Sequence, residues 1–190
     1  MIRRAPFAAL LLFMLISPAL VMAAADVQNL SGHYQTTLQS GIVMPAGTPK
    51  EECTQEWSGL ESTCVDDAEF TNHLLLFQQS DALHFQTVLW FFNGHMCSLS
   101  GVASPHPKGW MYEEYTDIAD CKFFIREDNG VILLEADREH NCRAYCGARG
   151  YFSGIQFPLS AKKQDIESLE AYNCITLFEE PADHCPQDSK

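Results

Sequence analysis

The residues of this chain best suited to chemistry are its histidines, its cysteines and a few clustered acids. His73, His84, His95 and His106 recur every eleven residues. A zinc site needs ligands that converge on a tetrahedron, usually supplied by close pairs such as H-x3-H or C-x2-C. These four histidines fall on four different expected segments, and their spacing matches a strand plus a turn. They are read as β periodicity, and no metal or cofactor is assigned. Glu113 and Glu114, or Asp117 and Asp120, could in principle act as the carboxylate pair of a glycosidase. Adjacent acids on a polar segment read instead as a solvated face. G-x-S-x-G, H-E-x-x-H, G-x-G-x-x-G and P-loop patterns are absent, so no catalytic residue is assigned. Asp128-Asn129-Gly130 lacks the remaining acids of a calcium loop and reads as a turn.

Cysteine chemistry depends on the compartment. Residues 1–25 have the three parts of a secretory signal: Arg3 and Arg4, an apolar run from Pro6 to Met22, and the small residues Ala23, Ala24 and Ala25. Cleavage there would leave about 165 residues, enough for one domain with its own core, and no membrane anchor. The expected organisation is a signal peptide at 1–25, a single β-rich domain at 26–180 and an acidic tail at 181–190, in a periplasmic or secreted protein.

All eight cysteines, Cys53, Cys64, Cys97, Cys121, Cys142, Cys146, Cys174 and Cys185, follow that signal. An even count in an exported chain reads as four disulfides, which removes the free thiolate that a cysteine nucleophile would need. Cys53/Cys64 and Cys174/Cys185 bracket short polar loops and could close locally. Cys142 and Cys146 are four apart, a spacing too wide and too poorly aimed for an unstrained bridge between them on a helical turn. A hairpin turning at Asn129-Gly130 would bring Cys121 to the strand end just before Cys142. The expected pairs are therefore Cys121–Cys142 and Cys97–Cys146.

The elements that would carry these residues are mostly strands. Gly32–Leu38 reads as a first strand, and Gly41–Glu61 as a long loop rich in Gly, Pro, Thr and Glu. HLLLFQQ, a Ser80-Asp81 turn and LHFQTVLWF read as two strands, with Leu83, Phe85, Thr87, Leu89 and Phe91 on one face. Asn93-Gly94 is a strong hairpin turn. Ser104–Gly109 is excluded from a strand interior by its two prolines. GWMYEEY, CKFFIRE, VILLEA and Gly150–Phe157 complete the strands, and Ser160–Tyr172 has Ile166, Leu169 and Tyr172 at helical spacing. The expected fold is mainly β: a small antiparallel barrel or sandwich of about seven strands, disulfide-stapled, with one short C-terminal helix.

Cys146-Gly147-Ala148-Arg149-Gly150 is the most unusual segment. Two glycines around Arg149 allow a sharp turn that could present a guanidinium. The segment reads as a cystine-fixed corner whose arginine pairs with one of the many acids. Trp57, Trp90 and Trp110 read as core or rim residues.

NGHMCSLSGVA, a CKFFI strand, a VILLEA strand and CRAYCGARGYFSGIQF resemble a family of exported Gram-negative proteins without an assigned activity, over roughly residues 74–157. The build is also similar to bacterial periplasmic and membrane-bound inhibitors of C-type lysozyme, which carry an S-G-x-x-Y loop. Its counterpart here is Ser153-Gly154-Ile155-Gln156-Phe157, with Phe in place of Tyr. The resemblance implies a binding loop around Ser153, Gly154 and Phe157, to which the exposed candidates Arg149 and His106 are added.

The net charge is −13 and becomes more negative without the signal. That argues against nucleic acid as a partner and favours a basic protein such as a cell-wall hydrolase. The leading expectation is an exported, non-enzymatic binder that acts as an inhibitor or immunity protein. The alternatives are a carrier of a small apolar ligand, held inside the barrel by Phe85, Leu89 and Phe91, and a hydrolase with an unrecognised site.

Overall fold

A computed structural model describes residues 29–44, 55–58, 62–117, 119–175 and 177. The expected signal segment, Cys53, Cys185 and the acidic tail lie outside the described residues. The chain forms β1 (Gly32–Val43), β2 (Gln55–Ser58), β3 (Ser62–Gln79), β4 (Ala82–Trp90), β5 (Met96–His106), β6 (Gly109–Tyr115), β7 (Asp120–Asp128), β8 (Val131–Asn141), β9 (Ile155–Pro158), β10 (Lys162–Gln164) and a helix α1 (Leu169–Asn173). All pairings are antiparallel, in the order β10-β1-β3-β4-β5-β6-β7-β8-β9, with β2 pairing only with β3. The protein is mainly β, an almost closed barrel of nine strands with one short helix. Closure is made by one bent segment. β9 pairs with β8, a 3-10 turn at Leu159–Ala161 follows, and β10 pairs with β1. Among the described residues no helix is long and apolar enough to cross a membrane.

Period-2 patterning builds the interior. Tyr34, Leu74, Leu76, Leu83, Phe85, Leu89, Phe123, Ile125, Ile132 and Leu134 are fully buried on the inner face. LLLF in β3 is a continuous apolar run because both of its faces are covered. Leu74 and Leu76 point inward, while Leu75 and Phe77 pack outside against Ile166 and Tyr172. Burying such a side chain contributes about 1.5–3 kcal/mol, enough to hold the C-terminal segment on the barrel.

The turns at Ser80-Asp81, Asn93-Gly94 and Asn129-Gly130 form as expected. Asn93 and Gly94 have φ of 60° and 67°, and Asn129 and Gly130 of 53° and 83°, the left-handed values a tight hairpin needs. Four expectations are corrected. β1 extends to Val43, and part of the expected Gly41–Glu61 loop is strand, because β3 is long enough to pair with all of β1. The prolines of Ser104–Gly109 do not end β5, which runs through Pro105 to His106. β5 leaves β4 at Ala103 and takes up β6 from Ser104, so Pro105 is paired on one side only and its missing N–H costs no ladder bond. Residues 150–154 are not strand, and β9 begins at Ile155. The helix expected over Ser160–Tyr172 shrinks to Leu169–Asn173, since Lys162–Gln164 pairs with β1; it starts where the Ser168 hydroxyl accepts the Ala171 N–H.

The Cys97–Cys146 and Cys121–Cys142 pairs form as expected. Cys174 is also disulfide-bonded. The pairings expected for Cys53/Cys64 and Cys174/Cys185 involve residues outside the described set.

Candidate functional site

The connection from β8 to β9 is long, and it is pinned along its whole length. Cys142 takes a left-handed conformation (φ 54°) and bonds to Cys121 of β7. After a 3-10 turn at Arg143–Tyr145, Cys146 bonds to Cys97 of β5 and forms a bridge beside it. The Gly147 N–H donates to the Met96 carbonyl at 2.8 Å. Gly150 lies against the cystine, where a Cβ would come within 2.5 Å of Cys97 Sγ. Phe152 is buried edge-on against Phe123. The Ser153 hydroxyl both accepts from the Ala136 N–H and donates to the Ala136 carbonyl, each at 3.2 Å, extending the β8 ladder before β9 begins.

The base of this loop has its own brace. Glu114 of β6 accepts the Tyr112 hydroxyl at 2.6 Å and also the hydroxyl of Tyr145. These bonds hold its carboxyl below the usual range, whereas burial and the adjacent carboxylate push both tyrosines up. Tyr112 reaches this position by lying over Gly101, where a Cβ would meet its ring at 2.4 Å.

Between the loop and the end of β8 lies an open groove of about 450 Å³, lined by Asp137, Arg138, Arg143, Arg149, Tyr151 and Ser153 among others. Half of the six arginines in the sequence meet here. Arg149 lies over the Phe92 ring, 5.5 Å from its centroid. Tyr151 is 56% exposed and packs on Phe91. Among the described residues no carboxylate pairs with Arg138 or Arg149. The cystine-fixed corner is present, but the acid expected beside Arg149 is replaced by an aromatic face. Guanidinium forks at such a groove can take carboxylate or phosphate oxygens in bidentate fashion. The Ser153 hydroxyl in this groove is engaged with the Ala136 backbone.

Of the loop residues expected from sequence, Arg149 and Ser153 share the groove and Gly154 lies exposed beside it. Phe157 is corrected. It is 0% exposed, a core residue of β9 that no partner can touch. His106 sits at the other end of β5, against Phe124, and accepts the Lys108 N–H. Arg138 and Arg143 were missed because they flank the unusual segment, on a strand end and a 3-10 turn that only the two cystines bring together.

The eleven-residue histidines do not converge. His73 is on β3, His84 packs on Tyr172, His95 follows the Asn93-Gly94 turn, and His106 is at a hairpin end. Among the described residues no three His, Cys, Asp or Glu side chains are grouped to hold a metal. The candidate acids are engaged at the surface: Glu113 with Lys122 at 2.6 Å, and Asp120 with His140 Nδ1 at 2.5 Å. The His140 pair has the Tyr115 ring edge-on beside it. Phe85, Leu89 and Phe91, the expected cavity lining, are buried against other core side chains.

No protein-family signature, no curated protein and no solved structure matches the chain.

Proposed function

We propose that this is an exported, non-enzymatic binding protein whose cystine-braced arginine loop grips a carboxylate-bearing partner, and that the partner is a cell-wall hydrolase. One observation carries the reading. On a chain of net charge −13, half of the arginines are gathered in one groove on a loop pinned by two cystines. Such a surface suits an enzyme that is basic overall and acidic in its cleft. The bulk charge speeds encounter with the basic exterior. The loop then meets the carboxylate pair that glycoside hydrolysis requires. Cystines and a signal-like start agree with export to the compartment where wall hydrolases act.

The test is inhibition. Purified protein lacking residues 1–25 is assayed against a panel of lysozymes and amidases, beside an Arg138→Ala/Arg149→Ala variant. The expected result is inhibition of at least one enzyme and a loss of about tenfold or more in the double variant, the value of a charged hydrogen bond. Activity untouched across the panel at micromolar protein sinks the reading.

A further inference from the structure

A different part of the barrel brings two histidines and a glutamine together. His33 and Gln35 are on the outer face of β1, and His73 is opposite Gln35 on β3. His33 Nε2 lies 3.1 Å from His73 Nδ1. The Gln35 side-chain amide is 3.5 Å from the first and 3.4 Å from the second. The three donors form a nearly equilateral triangle. From the three separations, the point equidistant from its corners is about 1.9 Å from each, against about 2.0–2.1 Å for a zinc–imidazole bond.

We propose that His33, Gln35 and His73 form a three-ligand site for a divalent transition ion of the zinc and copper(II) class. Imidazole is the ligand those ions share. Turning the Gln35 amide over presents its oxygen as the third ligand. The side chains are half-buried rather than sealed, which leaves room for water or an outside ligand in the fourth position. The two ligand-bearing strands pair without a register shift along β1 and β3, and the Thr87 hydroxyl donates to the His73 carbonyl at 3.0 Å.

In the metal-free protein one ring donates its N–H to the other. The ring centroids are 5.3 Å apart, so the two nitrogens face each other closely. Tetrahedral binding at zinc sets such nitrogens about 3.3 Å apart, so the pair opens by a few tenths of an ångström and turns toward the ion. The bridging proton moves, by exchange with water, to the far nitrogen of its own ring. Both imidazoles stay neutral and no net proton is released.

The experiment uses untagged protein at pH 7.5, titrated calorimetrically with zinc, copper(II), nickel(II) and, as control, magnesium. Wild type, His33→Asn, His73→Asn and His106→Asn are compared, with circular dichroism to verify the fold. The expected result is one equivalent of zinc and copper(II), copper(II) the tighter, no magnesium, and at least tenfold weaker binding in the His33 and His73 variants but not in His106→Asn. Should either variant fail to fold, nitrogen-15 correlation spectra of the wild-type histidine rings decide. Zinc is expected to shift Nε2 of His33 and Nδ1 of His73. Folded protein that takes up none of the three ions, or takes them up without moving those two nitrogens, overturns the site.

Discussion

Gly150 shows how closely single residues are set in this loop. A methyl group there would meet Cys97 Sγ at 2.5 Å and Cys146 Cβ at 3.1 Å, and a buried cystine cannot step aside. Gly150→Ala is therefore expected to cost about 1–3 kcal/mol, the usual penalty of overpacking, measured by urea denaturation against wild type. Arg149 is the opposite case. It is exposed, and its guanidinium lies over the Phe92 ring, so Arg149→Ala should leave stability within about 0.5 kcal/mol while weakening partner binding. Arg149→Lys should not restore that binding, because an ammonium lacks the planar fork that grips a carboxylate. A lysine variant that inhibits as well as wild type would show that only charge matters there.

At the scale of elements, the β8–β9 connection is held by two crosslinks and a carboxylate brace. The Cys97–Cys146 bond closes a span of 49 residues and Cys121–Cys142 one of 21. Loop-closure entropy then gives about 4 and about 3 kcal/mol, respectively. Replacing each pair by alanines should lower the denaturation free energy in that order, with the longer span costing more. Glu114 adds a pH dependence. Its folded pKa is below the ordinary 4.5 because two tyrosine hydroxyls bond the charged form. Such a group binds more protons when unfolded, so its contribution is complete above pH 4.5 and fades as the pH falls through the folded value. Thermal melts between pH 6 and pH 3 should show a shallower acid loss in Glu114→Gln than in wild type.

Over the whole molecule, the acidic exterior and the arginine groove act at different ranges. Attraction between the net −13 chain and a basic enzyme is screened over about 8 Å at physiological salt. Contacts inside the groove are made at hydrogen-bond distance and are screened less. Raising salt from low to physiological strength should therefore slow association several-fold and change dissociation little, as read by stopped-flow or surface binding. Equal salt effects on both rates would mean that steering and gripping are not separate. The interior, filled by Phe85, Leu89, Phe123 and their neighbours, makes the barrel a rigid support for the loop.

Much of this was legible in the residues alone. Alternation in LHFQTVLWF marked an inner face, Asn93-Gly94 and Asn129-Gly130 marked hairpins, and the second hairpin's register carried Cys121 to Cys142, leaving Cys97 for Cys146. These are local signals: side-chain period, positive φ, and the reach of a cystine. Pro105 in a strand, the short α1 and the burial of Phe157 escaped such reading, because each depends on which neighbour pairs with which side. The arginine groove and the His33–His73 contact escaped it for the same reason. Their members are separated along the chain, and only the pairing of β1 with β3 and the crosslinking of β5 and β7 to the β8–β9 loop bring them within bonding distance. Local propensity sets which elements form, and the burial of both faces of β3 and the closing of the barrel decide which side chains meet.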